Sequence, residues 1–60
     1  MDKFKIGDRV LIHGDESDFT DDIDGEIGIV KKVRENDYLV EGYLFHRYIY
    51  QYNLEEAPDD

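Results

Sequence analysis

The sequence predicts an all-β fold, a small five-stranded barrel with a long acidic first loop and a terminal 3-10 turn. Sixty residues provide for one domain with a minimal core. Short runs rich in valine, isoleucine and tyrosine alternate with turn residues, which is typical of strands joined by turns. No run of ten residues has the apolar period of a helix. The central strand is expected in residues 25–33, Gly-Glu-Ile-Gly-Ile-Val-Lys-Lys-Val, and carries core valines and isoleucines.

The first strand is predicted at residues 9–13. Side chains alternate between the two faces of a strand, so Val10 and Ile12 share one face. Phe4 and Ile6 continue the same even-numbered face. Both are therefore expected to cap the core.

Gly14 ends this strand, and residues 15–26, which we call the acidic loop, follow it. The acidic loop holds seven acids and has no helical period, so it cannot be a core strand. We predict a long, solvated, irregular segment in which Phe19 or Ile23 turns back onto the barrel. Long loops in compact domains are more often functional than short connections.

The second strand is predicted at residues 26–34, after a tight turn at Asp24-Gly25 that uses the tolerance of glycine for positive φ. Its isoleucines and valines do not share one alternating phase. A bulge near Gly28 or at Lys31-Lys32 would reconcile the two phases, since barrels use bulges to bend strands.

The remaining elements are read from turn residues and aromatic runs. Leu54 is expected to be buried, and at least two of the five tyrosines are expected in the core or at the barrel ends. Residues 1–57 form the predicted domain, with a frayed tail at 58–60. The predicted order is a turn at 35–37, a strand at 38–41, a reversal at Gly42, a strand at 44–50, a 3-10 turn at 51–53 and a short strand at 54–57.

The net charge is the extreme value of the composition, with sixteen acids against seven bases and a formal charge of −9. A field of this sign repels nucleic acids and anionic lipids and attracts basic proteins. We therefore predict a protein partner, no direct nucleic-acid binding and no membrane binding. The alternative is that the charge only keeps a small domain soluble. Without cysteine, a signal-peptide run or an apolar span, the chain is expected to be cytoplasmic.

Four short motifs together resemble the SH3-like barrel, and the resemblance covers nearly the whole chain. They are Ile6-Gly-Asp-Arg-Val10, Gly25-Glu-Ile-Gly-Ile-Val30, Tyr38-Leu-Val40 and Asn53-Leu-Glu55. KOW-type modules and the small accessory barrel protein of photosystem I have a similar pattern. The resemblance implies the fold more than the function.

Three departures separate the chain from these families. KOW-type modules that bind nucleic acid carry basic loops, and the accessory barrel protein of photosystem I docks acidic ferredoxin through basic residues. Proline-recognising SH3 domains use a tryptophan, and this chain has none. No functional residue of these families is therefore carried over to this sequence.

The residue types and their spacing in the sequence do not support catalysis or cofactor binding. Ser17 is the single serine and has no histidine at a catalytic spacing, while His13 and His46 are interpreted as surface or half-buried side chains. Residues 20–27 resemble part of an EF-hand loop but lack its two strongest ligands. The sequence predicts no enzyme, no metal and no cofactor, although a weak cation site remains an alternative at Asp15, Asp18, Asp21, Asp22 and Asp24.

Three binding hypotheses remain. In the first, acids of the acidic loop and nearby tyrosines dock on a larger protein, since acids steer basic partners and tyrosine gives rigid contact area. The resemblance implies that the loop and the 3-10 turn lie on one side. The second is an acidic nucleic-acid mimic of the kind that phages encode. The third is nucleic-acid binding through Lys31, Lys32, Arg34 and Arg47. The candidate binding residues are Asp15, Glu16, Asp18, Asp21, Asp22, Asp24, Tyr48, Tyr50 and Tyr52.

Overall fold

Five antiparallel strands form one sheet in the computed structural model, which describes residues 3–58. The strand order is β4-β3-β2-β1-β5, so β2 is central as predicted. Helical structure in the described residues is limited to 3-10 turns, which confirms the all-β class. The bounds are β1 Arg9–Ile12, β2 Ile27–Val33, β3 Asp37–Glu41, β4 His46–Tyr50 and β5 Leu54–Glu56, with 3-10 turns at Glu16–Asp18, Asp21–Ile23 and Gln51–Asn53.

The last strand returns to the first. Leu54 of β5 pairs with Ile12 of β1, and the turn Gln51–Asn53 leads into β5, as predicted. Within residues 3–58 no pairing joins β4 to β5, so the sheet is open and the closed barrel stays a prediction. In the predicted tail, Asp59 and Asp60 lie outside the described residues.

A bulge in β2 sets which of its side chains are buried. The pairing of β2 with β3 shifts between Val30↔Val40 and Lys32↔Leu39, which confirms the predicted bulge at Lys31-Lys32. The extra residue lets Val30 and Val33 both pack toward the core, although their spacing breaks strict alternation.

The core lies on one face of the sheet and includes buried side chains from every strand. Phe4 caps it, as predicted, with its ring edge-on to Tyr38 at a centroid distance of 5.4 Å. The Tyr38 hydroxyl accepts hydrogen bonds from the backbone amides of Lys3 and Phe4, which ties the lead segment to β3. The largest fully buried side chains are Ile12, Ile49, Leu54, Val10, Val30 and Val40.

Two predicted core residues are exposed. Ile6 has 68% of its surface exposed because the chain turns at residues 5–8, where the Asp8 amide donates to the Lys5 carbonyl. This turn interrupts the alternation that runs through β1. Ile27 is 38% exposed because Gly28 and Val30 occupy the inner face of β2.

The expectation for the tyrosines was also wrong. Of the five, Tyr38 alone is buried, while the other four are each at least 41% exposed. Tyr48 and Tyr50 alternate with the buried Ile49 along β4, so they point to the outer face of the sheet.

In the described part of the chain, no helix has the length and apolar character that crossing a bilayer requires.

Candidate functional site

The acidic loop is a long and mostly exposed connection, as predicted, and it contains two 3-10 turns, the first of which is ordered by the loop's own side chains. Asp15 caps the first turn, since its carboxylate accepts from the Ser17 amide at 2.9 Å and the Ser17 hydroxyl at 2.8 Å. These bonds favour the ionised form and lower the pKa of Asp15. The Asp15 amide donates to the Thr20 hydroxyl at 2.9 Å, which closes the turn.

Two hydrogen bonds fix the ends of the acidic loop at the end of β1. The Gly14 amide donates to the Asp24 carboxylate at 2.8 Å, and the Gly25 amide donates to the Ile12 carbonyl at 2.8 Å. Gly25 has a φ of 83°, which confirms the predicted tight turn. Of the two apolar residues that could turn inward, Ile23 does so and is only 6% exposed.

The acidic loop is also joined to the 3-10 turn Gln51–Asn53. The Asn53 side-chain amide donates to the Asp18 carboxylate at 3.0 Å and to the Thr20 hydroxyl at 3.3 Å. Asn53 and Thr20 are both buried. The loop and the turn are therefore in direct contact, and a buried polar cluster holds them together.

Arg47 of β4 forms the third attachment. Its guanidinium donates to the Asp22 carboxylate through two nitrogens and to the Phe19 carbonyl at 3.1 Å. The hydrogen bond from Arg47 lowers the pKa of Asp22, and the same bond raises the pKa of Arg47. One charge of the acidic loop is thus neutralised within the molecule.

Phe19 is held in a strained and exposed conformation. Its φ of 58° lies in the left-handed region, and it is the one non-glycine residue with positive φ among residues 3–58. This geometry costs an aromatic residue on the order of 1–3 kcal/mol. The ring nevertheless stays 82% exposed. Sequence reasoning treated Phe19 only as a core candidate and gave no signal for its backbone conformation.

The predicted carboxylates differ in how they are used. Asp15, Asp18, Asp22 and Asp24 each accept hydrogen bonds that shape the acidic loop. The side chains of Glu16, Asp21 and Glu26 are exposed and form no hydrogen bond or ion pair within residues 3–58. These three are the carboxylates of the acidic loop that remain exposed and unpaired among residues 3–58.

Two of the predicted tyrosines, Tyr48 and Tyr50, lie on a different face of the sheet from the contact with the acidic loop. The Arg34 guanidinium lies 3.8 Å from the centre of the Tyr48 ring while it also binds Asp37 through two hydrogen bonds. Tyr48 and Tyr50 point to the opposite face of β4 from Arg47, which contacts the loop. Tyr52 is 83% exposed and lies in the 3-10 turn next to Asn53.

A cleft that the sequence did not predict lies between the acidic loop and the turn that joins β3 to β4. We call it the loop–turn cleft. Its volume is about 320 Å³. Sequence reasoning placed Leu44 in the fourth strand, but β4 begins at His46, so Tyr43 and Leu44 stand in the turn and are about 90% exposed. The lining residues are Asp22, Ile23, Glu26, Tyr43, Leu44, Phe45 and Arg47.

Potential metal ligands are dispersed in the part of the chain that the structure describes. No three histidine or acidic side chains come close enough there to hold an ion. His13 is exposed and pairs with Glu55 of β5.

Acidification is expected to release Arg47 from the acidic loop. The pKa of Asp22 lies below its ordinary value of 3.8 in the folded protein, so the ion pair is present above pH 3.8 and is lost as the pH falls through the folded pKa. Side-chain NMR signals of Arg47 should move with a midpoint below pH 3.8, and this movement should vanish in Asp22→Asn. A midpoint at or above 3.8 in the native chain contradicts the pairing. The pKa of Asp15 is also lowered, by its hydrogen bonds from Ser17, so the signals are followed residue by residue.

Comparisons with protein-family models, with curated protein sequences and with solved structures gave no match to this chain. The chemistry of the site is therefore inferred from its own geometry and charge.

Proposed function

We propose that this chain is a non-catalytic protein-interaction module of the cytoplasm that docks on a larger, basic-surfaced protein through its acidic loop and neighbouring aromatic residues. The observation that carries the proposal is the exposed Phe19 ring on a left-handed backbone, within a loop that is otherwise fixed by hydrogen bonds. A fixed loop loses little conformational freedom when it binds, and this saving favours affinity.

The charge of the acidic loop supports the same proposal. Four of its carboxylates are used to shape it, whereas Glu16, Asp21 and Glu26 point outward without partners among residues 3–58. Exposed charges at the edge of an interface speed association and select the sign of the partner more than they raise affinity. A partner with lysines and arginines around an apolar contact fits this arrangement.

We also propose that the fold is SH3-like. Its support is the single antiparallel sheet in which the last strand pairs with the first, together with the 3-10 turn that leads into the last strand. The acidic loop occupies the first and longest connection, between β1 and β2.

The experiment that tests the function compares two charge variants of equal size. Protein immobilised on a resin is exposed to bacterial lysate at low and high salt, and a captured protein is purified for affinity measurement. The loop variant Glu16→Gln/Asp21→Asn should weaken its binding by about 2- to 30-fold, because exposed ion pairs contribute on the order of 0.2–1 kcal/mol each and the variant removes two carboxylates. The control Glu35→Gln/Glu56→Gln removes the same charge elsewhere and should change binding little.

Two results would contradict docking through the loop. If both double variants weaken binding equally, only the overall charge matters and the acidic loop is not the contact. If a DNA fragment displaces the captured protein, the chain acts as a nucleic-acid mimic instead. Salt should weaken binding under either hypothesis, so the salt series alone does not separate them.

A further inference from the structure

The loop–turn cleft has a mixed lining, in which four aliphatic or aromatic side chains stand beside three charged ones. Ile23 is buried at its base, and Phe45 packs against the core. Tyr43 and Leu44 rise from the turn with 90% and 88% of their surfaces exposed. Single exposed apolar residues are ordinary, but two adjacent ones beside a cleft form a surface that gains free energy when it is covered.

Arg47 connects this cleft to the exposed aromatic residue of the acidic loop. It lines the cleft and at the same time holds the Phe19 carbonyl and the Asp22 carboxylate. The Phe19 backbone is therefore fixed by a residue of the cleft.

The charges of the cleft specify the sign of its occupant. Asp22 and Arg47 form an ion pair, which leaves Glu26 as the lining charge without an ion-pair partner among residues 3–58. The Glu26 backbone is fixed, because its amide donates to the Ile23 carbonyl and its carbonyl accepts from the Ile12 amide. A carboxylate that extends from a fixed backbone beside apolar side chains is complementary to a cation placed next to an apolar side chain.

We propose that the loop–turn cleft binds a short segment of a partner protein in which a leucine-sized side chain is adjacent to a lysine or arginine. The apolar side chain packs against Leu44 and Phe45, and the cation pairs with Glu26. This inference rests on the proposed docking function and identifies the contact that would make the docking specific.

Charge disfavours the other occupants. A second copy of the chain brings a net charge of −9 and the same acidic edge. A nucleic acid brings phosphates to a cleft whose unpaired charge, among the described residues, is the Glu26 carboxylate. A cationic, apolar peptide segment meets neither repulsion.

The test is an NMR titration of the isotope-labelled protein with two matched peptides, acetyl-Gly-Leu-Lys-Leu-Lys-Gly-amide and its analogue with serine in place of leucine. We expect the leucine peptide to shift the amide signals of residues 23–26 and 43–45 in a saturable manner. The serine analogue and the Leu44→Ser variant should each bind about tenfold more weakly or worse, because the burial of a leucine side chain is lost. Glu26→Gln should weaken both peptides, and the control Tyr50→Ser should weaken neither.

Four outcomes overturn the proposal. They are no binding at millimolar peptide, equal affinity for both peptides, shifts confined to the tyrosine face of β4, and a dimer in sedimentation that Leu44→Ser dissolves. Because Leu44 is exposed, its variant should keep the native spectrum, so weakened binding reports the contact and not the fold. If the partner from the lysate binds Leu44→Ser as tightly as the native chain but loses affinity for Glu16→Gln/Asp21→Asn, the docking function stands and the cleft proposal fails.

Discussion

Ile12→Ala is expected to remove much of the free energy of unfolding of this protein, whereas Ile6→Ala should change it by no more than about 0.5 kcal/mol. Ile12 is fully buried and Ile6 is 68% exposed, although both lie at even-numbered positions near β1. Truncation of a buried isoleucine to alanine costs about 2–5 kcal/mol, because the transfer energy is lost and a cavity remains. The free energy of unfolding of a 60-residue domain is only about 3–9 kcal/mol.

Denaturation in guanidinium chloride, followed by circular dichroism, measures both variants against the native chain. The two substitutions remove the same atoms, so the difference between them reports burial alone. Equal destabilisation would show that the turn at residues 5–8 does not exclude Ile6 from the core. A small effect of Ile12→Ala would contradict the placement of β1 between β2 and β5.

Gly28→Ala is expected to cost about 1–3 kcal/mol, because the inner face of β2 has no room for a methyl group at this position. A Cβ atom there would lie 2.5 Å from a methyl carbon of Val40 and 2.9 Å from the Glu41 carbonyl oxygen. The Val40 side chain can adjust, but the carbonyl belongs to the backbone of β3. The two strands would therefore have to move apart.

A double-mutant cycle with Val40→Ala separates the two clashes. Removing the Val40 methyls relieves the shorter contact, so the double variant should be more stable than the sum of the single effects predicts, with a coupling of about 0.5–3 kcal/mol. The rescue should be partial, because the contact with the Glu41 carbonyl remains. Strictly additive free energies of unfolding would refute the close approach of β2 and β3 at Gly28.

The strands were predictable because their information is local. Val10 and Ile12 stand two positions apart and so share one face of β1, glycine and asparagine mark the turns, and the 3-10 turn Gln51–Asn53 and the buried Leu54 follow from short motifs. A bulge in β2 was also predictable from the change of phase of its apolar residues, although the sequence left two positions open, near Gly28 or at Lys31-Lys32, and the structure has the second.

The candidate site was less predictable because its geometry depends on distant residues. The first 3-10 turn of the acidic loop is closed by Thr20 and is bound by Asn53, which is 35 residues from Asp18 in the chain. The left-handed Phe19 is held by Arg47, which is 28 residues away. Composition revealed that the loop is acidic, but it could not show which carboxylates shape the loop and which point outward.

The loop–turn cleft could not be predicted from the sequence, for a different reason. Tyr43 and Leu44 have the composition of a strand, and the local propensity of Leu44 to Tyr50 favours one. The pairing of β3 with β4 ends at Glu41 opposite His46, which leaves residues 42–45 to form the turn. Register is a property of two strands, so neither segment alone reveals where the strand begins.

The hydrogen bonds from Asn53 have a consequence for biosynthesis. While a ribosome is still translating the segment before Asn53, Thr20 and Asp18 have no amide to bind, and β1 lacks the pairing of Ile12 with Leu54. The nascent chain therefore carries an unfinished acidic loop until the turn Gln51–Asn53 completes this loop and β5 completes the sheet edge. A truncated translation product ending before Asn53 would carry the negative charges of the loop without the shape that presents Phe19.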